Sequence, residues 1–180
     1  TTTAPVFTST TAKVATDWLV MGDIHGCKDQ LDALLVAAGF TWEEDERGWT
    51  TQITHPTRAK VAFLGDFTSR GPNSIGVLKR VIPMVEQGMA VAVLGNHDLA
   101  LRANLTDRGG FRDTGVVREL RQALPARELA RVVEFYNTAL TPYALIQAES
   151  HATTGILAHA GIEQKWLGRQ SQELTTRCAH

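Results

Sequence analysis

Three apolar runs in this chain stop in the same way. Trp18-Leu19-Val20-Met21 ends at Gly22-Asp23-Ile24-His25-Gly26. Lys60 to Leu64 ends at Gly65-Asp66-Phe67-Thr68-Ser69-Arg70-Gly71, and Met89 to Leu94 ends at Gly95-Asn96-His97-Asp98. A fourth run, Gly155 to His159, opens into His159-Ala160-Gly161. Short apolar runs closed by glycine read as buried strands. Helical segments between them restrict the chain to a layered α/β sheet, whose strand-end loops converge on one site.

The segments between the runs support this order. Asp29 to Gly39 reads as a helix with Leu31, Leu34, Leu35 and Ala38 on one face and Gly39 as its stop. Residues 41–58, with Trp42, Trp49 and an acidic patch from Glu43 to Glu46, read as a small hairpin. Ser74 to Val85 reads as a helix carrying Val77, Leu78, Val81 and Val85, with Pro83 positioned to kink or shorten it. Leu99 to Leu105 opens a helical region, and residues 106–115 read as a loop. Val116 to Leu124 and Ala126 to Leu140 read as two helices divided at Pro125, the second with Leu129, Val132, Val133 and Tyr136 on one face. Tyr143 to Gln147 and Gly155 to His159 read as strands joined near Ser150. Residues 1–16 read as a flexible arm and 17–180 as one domain.

With 180 residues, 43% of them hydrophobic, the chain is long enough for one domain with a sizeable core. A net charge of −1 gives no global basic footprint for nucleic acid. Two distant cysteines, Cys27 and Cys178, make no disulfide framework and suggest a reduced, cytoplasmic setting. No apolar run approaches the roughly 20 residues of a membrane span, so no membrane partner is expected.

Asp, His and Asn at strand ends are metal-ligand types. Asp23 and His25, two positions apart, point the same way if the segment is extended. Asp66, Asn96 and His159 each follow a strand of their own. Oxygen and imidazole donors without thiolates suit Mn, Fe, Zn or Co, with Ni in the same class. A carboxylate shared by two such ions would let them clamp a phosphate and acidify water. His97 reads as a catalytic acid, with Asp98 as the carboxylate that orients its ring. Arg70 reads as a phosphate grip.

Each residue also has a plainer reading. A single Gly-Asp after a strand is usually a turn; four ordered clusters are poorly explained that way. Arg102 and Arg108 either reach a substrate or are solvated, the second being favoured. His55, His151 and His180 read as surface residues and Cys27 as a packing residue. Trp42 and Trp49 read as packing residues before base-stacking ones, and Trp166 as packing under the His159 loop.

Gly-Asp-X-His-Gly, Gly-Asp-X-X-X-Arg-Gly, Gly-Asn-His-Asp and His-X-Gly, in this order, resemble the motif set of the calcineurin-like metallophosphoesterase superfamily, over roughly residues 17 to 168. The resemblance implies a β-sheet sandwich flanked by helices, with two divalent ions, commonly Mn. By position it puts Asp23 and His25 on one ion and makes Asp66 the bridge. Asn96 and His159 then hold the second ion, and His97 with Asp98 is the acid pair. Gly26-Cys27, His55-Pro56, Arg70-Gly71-Pro72-Asn73-Ser74 and Ala158-His159-Ala160-Gly161-Ile162 resemble a bacterial branch. That branch holds the phosphatase module of polynucleotide kinase–phosphatases, PrpE-type phosphoesterases and symmetrical diadenosine tetraphosphatases.

Two departures stand out. Thr68-Ser69 replaces the Val-Asp usual in the second motif, which bears on how Arg70 or its loop is held. A further metal-two histidine, expected in a Gly-His motif some tens of residues after His159, has no clear counterpart before His180, so the domain reads as C-terminally short. The implied activity is hydrolysis of phosphomonoesters (a nucleotide, a polynucleotide end or a phosphoprotein) by in-line attack of metal-bound hydroxide. The alternatives are a diadenosine-polyphosphate hydrolase and a weakly active metal-binding scaffold module. The oligomeric state stays open.

Overall fold

The computed structural model describes residues 18–106, 115–147 and 154–161. They form a mixed α/β fold. Strand β1 (Trp18–Met21) leads through a loop to α1 (Lys28–Ala37), then to a hairpin of β2 (Thr41–Glu44) and β3 (Thr50–Thr54). Strand β4 (Lys60–Phe63), α2 (Ser74–Glu86), β5 (Ala90–Ala92) and α3 (Asn96–Leu105) come next. After them come α4 (Val116–Ala123), α5 (Ala126–Thr138), β6 (Tyr143–Gln147) and β7 (Thr154–Ala158).

Strands β1, β4 and β5 form a parallel sheet in the order β1-β4-β5, with Leu19 opposite Val61 and Val61 opposite Ala90. Their C-terminal ends therefore lie side by side, and the three glycine-closed loops leave from one edge of the sheet. Strands β6 and β7 pair antiparallel, Tyr143 facing Ala158. A single parallel bridge between Val93 and Thr141 sets this hairpin beside the end of β5. His159, at the exit of β7, is thereby delivered to the same edge.

Helix α2 is central to the core. Val77, Leu78, Val81, Ile82 and Met84 are all at most 1% exposed. Its start is capped by Asn73, whose side chain accepts the Gly76 N–H at 2.7 Å. Pro83 does not shorten it: the helix continues to Glu86, and the Pro83 carbonyl accepts from Gln87 N–H. A proline ring removes one donor, but at a buried position near the C-terminus the remaining bonds and the packing suffice.

Two sequence readings need correction. Strand β1 is an edge strand among the described residues rather than a buried one, and Val20 is 45% exposed. On α1 only Leu31 and Leu35 turn inward, and Leu34 is exposed. Helix α1 packs against α2 and enters the common core through a narrower stripe than its sequence offers.

The hairpin is held by charge and aromatic contacts. Arg80 of α2, 1% exposed, stacks 3.9 Å from the Trp42 ring centroid. It also bonds Asp32 of α1 at 3.0 Å, Glu44 of β2 at 2.5 Å and Thr50 of β3. Trp49 is buried, and its Nε1–H donates to Glu128 of α5 at 2.8 Å. Both tryptophans are thus packing residues. His55 is not a plain surface residue: half-buried, its Nε2 meets the Ala38 carbonyl at 2.9 Å, and its Nδ1 accepts from Ala59 N–H. Among the described residues no helix is long and apolar enough to cross a membrane. The readings made for residues 1–16, Arg108, His151, Trp166, Cys178 and His180 lie outside the described residues.

Candidate metal centre

The loops after β1 and β4 are zipped together through the backbone. The Asp66 carbonyl accepts from His25 N–H at 2.7 Å and from Ile24 N–H at 3.2 Å, and the Phe67 carbonyl accepts from Gly26 N–H at 2.8 Å. The His25 carbonyl in turn accepts from Gly71 N–H at 2.6 Å. These bonds require a tight local course. His25, Asp66, Ser69 and Arg70 all lie at positive φ, between 48° and 76°. Such conformations cost non-glycine residues of order 1–3 kcal/mol each and gather at functional sites. Asp23 and His25 are neighbours as their spacing suggests, but for a different reason. They converge, Oδ2 to Nε2 at 3.5 Å, because the chain turns left-handed at His25 rather than running extended.

Close approach of the next loop depends on two glycines. Gly65 has φ +98°, and a Cβ there would lie 2.5 Å from Gly95 N. A Cβ on Gly95 would lie 2.1 Å from Asp66 Oδ1. Gly22, at the equivalent place in the first motif, has nothing within 4 Å of its would-be Cβ.

Asp66 stands at the middle of the site, 2% exposed. Its Oδ2 is 3.6 Å from His25 Nε2 and 3.6 Å from His159 Nε2, while its Oδ1 accepts the His97 N–H at 2.9 Å. Two groups of ligand-type atoms, each within 4.8 Å of one another, share it: His25, Asp66 and His97, and Asp23, Asp66 and His159. Asp23 Oδ1 is also 3.8 Å from His159 Nδ1. Asn96 joins the second group, with Oδ1 3.0 Å from His159 Nε2. All five residues expected as ligands are therefore in one place.

The protonation implied by their partners fits a cation. His25 Nδ1 is 3.1 Å from the Thr68 carbonyl, and His159 Nδ1 is 2.8 Å from the Leu64 carbonyl. A carbonyl can only accept, so in each neutral ring Nδ1 carries the hydrogen and Nε2 the lone pair. His25 Nε2 is then a buried lone pair with no hydrogen-bond partner, facing two carboxylates. His159 Nε2 likewise faces an amide oxygen and a carboxylate. Acceptor against acceptor is unfavourable without a positive charge between them, which a divalent ion would supply. Metal-binding histidines usually anchor the other ring nitrogen on a carbonyl, as these two do.

Asp98 does not orient the His97 ring as its place in the motif suggests. Fully buried, its carboxylate accepts from Asp66 N–H at 2.6 Å, Gly95 N–H at 3.0 Å and Phe67 N–H at 3.2 Å. The Tyr136 hydroxyl approaches it at 3.4 Å. Among the described residues no hydrogen bond joins it to the His97 ring. It sits at position three of α3, where a carboxylate turns back to the helix entry. It therefore ties the β4 and β5 loops together instead of orienting a histidine. Burial pushes its carboxyl up to about 6, against the lowering effect of the three backbone donors. Burial and the nearby Asp98 push the Tyr136 hydroxyl well above its ordinary range.

The His97 ring has other neighbours. Arg70 Nη2 is 3.4 Å from its Nε2, and the His25 ring meets it edge-on with centroids 4.9 Å apart. Arg70 is exposed and borders the ligand cluster. Arg102 lies in the last turn of α3, about 9 Å along the axis from Asn96 at 1.5 Å per residue. No hydrogen bond or ion pair joins its side chain to the site among the described residues. Tyr136 and the carbonyls of Leu64 and Thr68 are site features that the sequence does not single out. The first reads as an ordinary helix-face residue, and carbonyls carry no side-chain signal.

A family model described as calcineurin-like phosphoesterase matches residues 18–175. Two curated relatives are named bis(5'-nucleosyl)-tetraphosphatase PrpE [asymmetrical]. That of Anoxybacillus flavithermus is 32% identical over 163 residues, covering 86% of this chain and 61% of the relative. That of Bacillus cereus strain ATCC 10987 is 31% identical, covering 87% and 62%. A crystal structure provisionally described as a diadenosine tetraphosphatase superposes with a TM-score of 0.50 and 28% identity, over 81% of this chain and 50% of the other. The chain thus spans about three-fifths of the length of these curated relatives. The motif order, a site built where three parallel strands end, and a family match over most of the sequence agree: this chain belongs to the calcineurin-like phosphoesterase family.

Proposed function

We propose that this chain carries the core of a metal-dependent phosphoesterase acting on nucleotide phosphoric esters and anhydrides. The observation that carries the reading is the shared position of Asp66, one carboxylate between two groups of ligand atoms. Asp23 lies between the two groups, 3.5 Å from His25 Nε2 and 3.8 Å from His159 Nδ1. It would join His25 on one divalent ion, and Asn96 and His159 would hold a second, with Asp66 common to both. When bound, such ions neutralise phosphate charge and acidify water. Mn suits the oxygen and imidazole donor set.

The chain's own residues supply the rest. Arg70, exposed beside the cluster, offers a planar fork to phosphate oxygens. Its present partner, His97 Nε2, lies within the same reach, so a phosphate held by Arg70 would have the His97 ring beside its ester oxygens. A guanidinium can only donate, so Nε2 accepts from Arg70 here. With Arg70 turned to phosphate, a His97 ring protonated at Nε2 from solvent would pass that proton to the departing oxygen. The Asp66 Oδ1 bond to His97 N–H fixes where that ring starts from. The names of the relatives favour dinucleoside tetraphosphates over simple phosphomonoesters as substrate.

The test is turnover with added Mn of diadenosine tetraphosphate, p-nitrophenyl phosphate and a 3′-phosphorylated oligonucleotide, each with wild type and Asp66→Asn. We expect turnover of the dinucleotide by the wild type, and a loss in the variant of roughly a hundredfold or more, as for a misplaced reacting group. Calorimetry should show weakened binding of both ions. Two unaltered Mn sites in Asp66→Asn would refute the bridging role. Two tight sites in the wild type with no turnover of any substrate would leave a metal-binding scaffold instead.

A further inference from the structure

Beside the Asn96–His159 half of the site lies a cavity of about 610 Å³. Its walls come from three elements that meet there. Leu99 stands three residues after Asn96 on α3, hence on the same helix face. Tyr143 opens β6 and faces Ala158 of β7, the residue before His159. Leu94, Pro142 and Ala160 add to the apolar part. No charged side chain lines it among the described residues; the polar groups at its mouth are Asn96 and His159 themselves.

We propose that this cavity is the nucleoside subsite, holding the base and sugar attached to the phosphate bound at the metal centre. The proposal rests on the phosphoesterase reading above. Because the cavity shares Asn96 and His159 with the ligand cluster, a group seated in it and a phosphate seated there are adjacent parts of one molecule. Its size lies within the range of small-molecule pockets, roughly 300–1,000 Å³, and exceeds what a bare phosphate needs. Apolar walls without charge reject a second phosphate or an acidic peptide, since either would be desolvated without a partner. They accept an uncharged heteroaromatic ring, for which Leu99 and the half-buried Tyr143 offer contact area. Leu99 is 38% exposed, so a large apolar side chain is kept at the surface where it borders this cavity.

The test compares binding of AMP and of inorganic phosphate to the Mn-loaded full chain by calorimetry, in wild type, Leu99→Trp and Leu99→Asp. Leu99 is a surface residue, so neither change threatens the core. We expect AMP to bind wild type about tenfold or more tighter than phosphate, with adenosine alone competing against AMP. In both variants that preference should fall to about twofold or less while phosphate affinity is kept. Phosphate binding with no AMP preference in the wild type would overturn the subsite and leave the phosphoesterase reading standing. A preference unchanged in both variants would overturn it as well. Failure of both ligands to bind would overturn the subsite together with the reading on which it rests.

Discussion

Gly22, Gly65 and Gly95 occupy equivalent places in three motifs, each just before a ligand-type residue, yet the structure separates them sharply. At Gly95 an added methyl would lie 2.1 Å from Asp66 Oδ1 and 2.6 Å from Asp66 N. Carbon and oxygen settle at about 3.3 Å or more, so a gap of about 1 Å must open between the β4 and β5 loops. Asp98 holds those loops together at 2.6 and 3.0 Å, and Asp66 cannot move without disturbing its 2.9 Å bond to His97 N–H. Gly95→Ala should therefore destabilise the fold by about 1–3 kcal/mol, as overpacking does. On the proposed function, displacement of Asp66 by that distance should cost roughly a hundredfold in kcat/KM. Gly22→Ala meets nothing within 4 Å, and Gly22 is not among the positive-φ glycines. It should stay within about 0.5 kcal/mol of wild type and keep full Mn affinity. Urea unfolding and Mn calorimetry on the two variants decide the matter. Equal effects at the two positions, or a silent Gly95→Ala, would refute the claim that loop approach at Asp66 is what these glycines protect.

Two more outcomes come from buried charge. Asp98 has a folded carboxyl value of about 6 and an unfolded one near the ordinary 3.9, so between these pH values the folded chain holds more protons. Its contribution to stability is then fully present below about pH 4 and is lost as pH rises through 6, about 3 kcal/mol in all for the metal-free protein. Urea unfolding at pH 4.5 and 7 should show that slope in wild type and a shallower one in Asp98→Asn; equal slopes would contradict the assignment. Arg80→Met leaves Asp32, Glu44 and Thr50 without their shared donor and uncovers Trp42, and should cost about 3 kcal/mol with a red-shifted tryptophan emission. A change below about 0.5 kcal/mol would mean the hairpin is held by its apolar contacts alone.

The strands, most helices and the five residues proposed as ligands are legible because each rests on local sequence. An apolar run ending in Gly-Asp marks both a strand and the loop that leaves it. The features that cannot be read depend on distant backbone. The carbonyls of Thr68 and Leu64 set the histidine tautomers, yet they belong to residues with no chemical signature of their own. Arg80 looks like any helix arginine until Asp32, Glu44 and Thr50, 30 to 48 residues away, are brought around it. Leu34 fits the apolar face of α1 by spacing, but α1 meets the core through Leu31 and Leu35 and leaves Leu34 exposed. The conformation at His25 is hidden for a similar reason. An extended chain and a left-handed turn both bring Asp23 to His25, and only the pairing with Asp66 and Phe67 selects the turn.

Asp98 shows how much a motif can conceal. Adjacent His and Asp in one cluster suggest an acid pair, but on a helix consecutive side chains diverge by about 100°, so neighbours in sequence are poor candidates for partners. The structure uses that divergence. His97 points to Arg70 and the ligand cluster, while Asp98 points inward to the amides of Gly95, Asp66 and Phe67. A buried carboxylate is costly, and one raised to about 6 is only partly compensated by its donors. An apolar residue there would avoid that cost but leave three buried N–H groups unpaired, at about 1–3 kcal/mol each. The carboxylate is thus the lesser penalty, and it fixes the spacing of the loops that carry Asp66 and Asn96. With Asp98 committed to that task, the hydrogen-bond partner of the His97 ring among the described residues is the Arg70 guanidinium. In the proposed mechanism, phosphate and His97 then compete for the same arginine, and substrate arrival itself would free the His97 Nε2 atom.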